Sequence, residues 1–117
     1  MKKHRNKLFL LLPLLLVACA SFSTNMWRSE QTAQNLVYTS YVAYTNGLAT
    51  GLIKVTAPQS NAIKQARLKF AASIQVAEAW RLSYETNSTM KPYAQAALDA
   101  VLENSSNFVY VYNLLKQ

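Results

Sequence analysis

Few side chains in this 117-residue chain are of a type that does chemistry, and their spacing narrows what they can do. There is one cysteine, Cys19, and one histidine, His4. The carboxylates are Glu30, Glu78, Glu85, Asp99 and Glu103. Asp99 and Glu103 stand four apart, so a helix turns both to one side, where they can hold a cation or form a solvated acidic face. Gly47 and Gly51 are the only glycines, so there is no glycine-rich loop to cradle a phosphate. Tyr38, Tyr41 and Tyr44 recur every three residues. Tyrosine contributes contact area and a polar tip at low entropic cost, so this ridge is the candidate binding surface; the other reading is the rim of a small core.

Those residues must be placed by helices. Between residues 29 and 53, Val37, Tyr41, Tyr44 and Leu48 recur in steps of three and four, with Ser29 and Glu30 suited to a helix start. Residues 31–53 carry no charge, but Gln31, Gln34, Asn35, Asn46 and several threonines make the segment too polar for hydrocarbon. Gly47 and Gly51 either fray the helix end or admit a neighbouring helix closely. Thr56, Pro58 and Gln59 form a T-x-x-Q start for a second helix to about residue 85, with the stripe Ile63, Ala66, Phe70, Ile74, Ala77, Trp80 and Tyr84. Arg81 can pair with Glu78 or Glu85 along it. Thr89 and Pro92 open a third helix with the stripe Ala94, Ala97, Val101, Phe108, Tyr112 and Leu115, and Ser105 on the same face. Phe108 to Tyr112 alternates as a strand would, but a lone strand has no partner. Short connections between long helices make an all-α chain, a small antiparallel three-helix bundle.

The first residues follow a different logic. Lys2, Lys3, Arg5 and Lys7 precede the apolar run Leu8 to Val17, the order of a secretory signal. The run is about ten residues, against the roughly 20 needed to span a bilayer. It ends in Leu16-Val17-Ala18-Cys19, which resembles the lipobox of bacterial lipoproteins. The resemblance implies that the Cys19 thiol receives a diacylglyceryl group. It also implies cleavage between Ala18 and Cys19 and acylation of the new amino terminus by a chain such as palmitate. Several acyl chains, at about 0.8 kcal/mol per buried CH₂, anchor stably where one is marginal. Ala20 follows the cysteine where an aspartate tends to retain lipoproteins in the inner membrane. The implied location is therefore the periplasmic leaflet of the outer membrane in a cell that has two membranes.

The expected organisation is a cleaved signal peptide over 1–18, a lipidated cysteine and flexible tether over 19–28, and a helical domain over 29–117. Such processing removes His4 and blocks Cys19. No Cys–His pair or Ser–His triad then remains, and most zinc sites are excluded. Neither enzymatic activity nor a cofactor is expected. The net charge of +7 is concentrated in the leader, which holds four of the 12 basic residues. From residue 19 onward the basic surplus is only three, spread along helices, which is no footprint for nucleic acid.

The later region, in Asn61-Ala-Ile-Lys-Gln-Ala-Arg67 and Tyr93-Ala-Gln-Ala-Ala-Leu98, resembles small helical lipoproteins encoded in phages and prophages. The resulting expectation is a lipid-anchored, non-enzymatic binding or accessory protein that presents its bundle to an envelope partner. The alternative is a membrane-active or superinfection-exclusion lipoprotein of phage type.

Overall fold

The computed structural model describes the backbone of residues 2–117 and the side chains of residues 21–117. Ala18 and Cys19, the expected cleavage and lipidation residues, lie outside the described side chains. Three helices account for the architecture: α1 (Lys2–Thr50), α2 (Ala57–Thr86) and α3 (Lys91–Leu115), with a 3₁₀ turn at Ser88–Met90. α1 and α3 run up and α2 runs down, and all three pack side by side as the expected all-α bundle. No strand occurs among the described residues, and Phe108 to Tyr112 lies within α3.

Each helix contributes one seam to the core. In α1 the buried positions are Ser23, Met26, Glu30, Ala33, Val37, Ser40, Tyr44 and Gly47. In α2 they are Ile63, Ala66, Phe70, Ser73, Ala77 and Tyr84, with Trp80 half-buried between the last two. In α3 they are Ala94, Ala97, Leu98, Val101, Ser105 and Phe108. Steps of three and four alternate along the seams, a seven-residue repeat like that of coiled-coil packing. Two buried serines are satisfied within their own helices. Ser73 Oγ donates to the Phe70 carbonyl at 2.7 Å, and Ser105 Oγ to that of Leu102 at 2.8 Å.

The tether expected over 19–28 is instead part of α1 over residues 21–28. Ser23 and Met26 are buried there, and Phe22 packs against the core. The polar residues of this segment are helical too: Ser23 joins Met26 in the seam, while residues 21, 24 and 25 face solvent. Trp27 is about half exposed. Tyr41 and Leu48 were expected on the buried stripe, yet Tyr41 is only half-buried and Leu48 is exposed.

The helix ends follow local chemistry. α1 stops at Thr50, three residues before the expected end, because Gly51 adopts φ +77, a left-handed conformation that glycine tolerates. Ile53 then folds back, its N–H donating to the Gly47 carbonyl at 2.9 Å. A Cβ on Gly47 would lie 2.5 Å from Ile53 Cδ1, so this glycine admits a linker side chain rather than a second helix. α2 begins with the expected capping box. Thr56 Oγ1 accepts from the Gln59 N–H at 3.3 Å, and Gln59 Oε1 accepts from the Thr56 N–H at 2.8 Å. At the next junction Asn87, not Thr89, does the capping. Its Oδ1 accepts from Thr89 N–H and Oγ1 at 3.1 and 2.6 Å, while Met90, the residue before α3, provides no side-chain cap.

Candidate functional site

The most unusual chemical feature of the core is Glu30, expected as an acid at a helix start and found inside α1 with no exposed surface. It occupies a seam position of α1, between Met26 and Ala33. Neither carboxylate oxygen has a hydrogen bond. The nearest cation is Arg81 of α2, whose Nε is 4.0 Å from Glu30 Oε2.

Arg81 is already committed elsewhere. Its Nη2 and Nε donate to Glu78 Oε2 at 2.7 and 3.0 Å, and its Nη1 donates to Glu85 Oε1 at 3.0 Å. The pairings expected along α2 are therefore both present. Nη1 also donates to Ser23 Oγ at 3.1 Å, and Ser23 in turn donates to Glu85 Oε1 at 2.7 Å. One guanidinium thus faces three carboxylates, and the first turns of the packed part of α1 are tied to the last turns of α2.

That imbalance favours one retained proton. Burial first, then the adjacent Glu78 charge, push Glu30 up from 4.5 to about 7, against the opposing pull of Arg81. Arg81 itself is held more firmly protonated, first by its hydrogen bond to Glu78. The cluster can hold a proton near neutral pH. Glu30 is closed to solvent, so it has no path to a substrate. Among the described residues no group of three or more His, Cys, Asp or Glu side chains is arranged to hold a metal ion. Asp99 and Glu103 both lie on an exposed face, where Asp99 accepts from Gln95 Nε2 at 3.0 Å.

The tyrosine ridge divides. Tyr38 is 69% exposed, Tyr41 half-buried and Tyr44 buried, its hydroxyl lacking a hydrogen bond. On a helix of 3.6 residues per turn, six residues rotate the third ring about 120° from the first, which carries Tyr44 inward. Tyr38 and Tyr41 remain at a groove of about 440 Å³ between α1 and α2, with Val37, Arg67, Phe70 and Ile74. Arg67 Cζ lies 4.3 Å from the centre of the Tyr41 ring, a cation–π contact.

Aromatic and basic groups also collect at the end where α2 passes into α3. Phe22 meets Tyr84 edge-on at 4.7 Å, Lys91 Nζ lies 5.1 Å above Phe22, and Trp80 stacks on Tyr93 at 4.9 Å. Nothing in the sequence flagged Glu30 as a core residue. The available signal was its place in the seven-residue spacing with Met26, Ala33 and Val37.

No family model matches the chain, and no curated protein or solved structure is significantly similar to it.

Proposed function

We propose that the protein is an envelope lipoprotein, anchored through acylated Cys19 and acting as a non-enzymatic binding or accessory protein through its bundle. The observation that carries this reading is Leu16-Val17-Ala18-Cys19 at the end of a short basic-then-apolar leader. With Ala20 after the cysteine, the periplasmic leaflet of the outer membrane is the location in a two-membrane cell. The Tyr38–Tyr41–Arg67 groove is the surface offered to an envelope partner, because it combines exposed aromatic area with polar tips and a cation. A photo-reactive residue in place of Tyr38, expressed in intact cells, is expected to trap one specific envelope protein. A control at Asp99, on the exposed acidic face of α3, is expected to trap none. Failure to trap any protein from Tyr38 would count against the binding role.

A second reading is a phage-type membrane-active or exclusion lipoprotein. The uncharged stretch 31–53, with Leu36, Tyr38 and Leu48 exposed, favours it. No helix among the described residues is long and apolar enough to cross a membrane, so on this reading the protein acts from the membrane surface. An unchanged growth and infection phenotype on expression would remove this reading.

A further inference from the structure

We propose that the end of the bundle built from residues 22–25 and 86–93 stands against the phospholipid headgroups, with the bundle axis pointing away from the membrane. This rests on the lipoprotein reading of Cys19 and adds an orientation to it.

Cys19 precedes Phe22 by three residues, and Phe22 is already packed against Tyr84 and beneath Lys91. Three residues span at most about 10 Å when extended and about 4.5 Å when helical. A thioether-linked diacylglyceryl group fixes Cys19 at the boundary of the acyl chains. The headgroup layer is only about 6 Å deep on each side of a bilayer. Phe22 and the α2–α3 junction beside it therefore lie at or just above the headgroups. No free tether remains to lift the domain clear.

Orientation follows from the continuity of α1. The helix is unbroken from Lys2 to Thr50, and no glycine or proline occurs between Cys19 and Gly47 to kink it. The anchor thus leaves the bundle along its axis. The opposite end, around Leu52, stands about 42 Å higher, the rise of the 28 residues between Phe22 and Thr50 at 1.5 Å each.

The side chains at the lower end suit a headgroup layer. Lys91 is exposed, and Tyr93, 54% exposed, is stacked on the indole of Trp80. Amphipathic aromatic rings and long cations favour this zone. The acids nearby, Glu78 and Glu85, are tied to Arg81, which limits their repulsion of anionic lipid.

The test uses the full chain, processed in a bacterial host and reconstituted in phosphatidylethanolamine–phosphatidylglycerol vesicles. Ser88→Cys and Leu52→Cys, both at exposed positions, each carry a bimane fluorophore. The vesicles contain lipid spin-labelled at its headgroup, and the mass of the Cys19 peptide is read on the same sample. The expected result is a lipid adduct on Cys19, loss of most bimane fluorescence at position 88, and none at position 52. A lipidated Cys19 with no quenching at 88 overturns the proposal but spares the anchor. Equal quenching at both positions also overturns it, by showing the bundle lying flat. An unmodified Cys19 overturns the lipoprotein reading and this proposal with it.

Discussion

At the scale of single residues, Glu30 makes stability depend on pH. A carboxyl raised to about 7 in the folded chain and titrating near 4.5 when unfolded binds its proton more tightly in the native state. Its stabilising contribution is complete below pH 4.5 and is lost as pH rises to about 7. The difference is on the order of 3 kcal/mol, since one pKa unit corresponds to about 1.36 kcal/mol. Glu30→Gln keeps the shape and removes the titration. Urea titrations are expected to show wild-type stability falling between pH 4.5 and 7 while the variant stays flat. At pH 8 the variant is then the more stable of the two. A parallel fall in both proteins would mean that Glu30 does not hold the proton. A buried polar group at a seam position also specifies alignment, because only one register of α1 against α2 places Glu30 beside Arg81.

At the scale of elements, the sequence was most legible where apolar residues occupied the seam. The stripes of α2 and α3 were readable because Ile63, Ala66, Phe70, Val101 and Phe108 keep helical spacing, and the α2 start because its capping box is local. The seam of α1 was legible only in part, since Ser23, Glu30, Ser40 and Gly47 fill half of it with polar or minimal side chains. Hydrophobic patterning found its members Val37 and Tyr44, and otherwise picked out Tyr41 and Leu48 from the neighbouring row. The candidate site was partly legible: the Glu78–Arg81–Glu85 pairing follows from spacing alone, whereas the approach of Ser23 and Glu30 needs tertiary contact. Two variants test this account of α1. Met26→Ala is expected to lower stability by about 2–5 kcal/mol, the range for a fully buried methionine, where a tether would give almost nothing. Gly47→Ala gains about 1 kcal/mol in helix propensity, but its new Cβ meets Ile53. Overpacking of about 1–3 kcal/mol makes the net effect destabilising, and the loss is expected to shrink when Ile53→Ala is added. Both are read by thermal or urea unfolding, and additive effects in the double variant would refute the contact.

At the scale of the molecule, the chain is a narrow rod, 76 × 19 × 16 Å, in which α1 runs from Lys2 into the bundle without interruption. The same helix that would carry the lipid anchor also supplies the Glu30 seam and one wall of the Tyr38 groove. The lipid-anchored role, and the orientation that rests on it, require that the chain be cut and acylated at Cys19. The most direct test is gel mobility of the protein from cells grown with and without an inhibitor of the lipoprotein signal peptidase, beside Cys19→Ala, under labelled fatty acid. A larger precursor on inhibition, and loss of the label in the variant, is the predicted result and defines a tethered chain of 99 residues, 19–117. Unchanged mobility and no label in the wild type would contradict it, leaving Leu8 to Val17 attached and the lipid-anchored role without support.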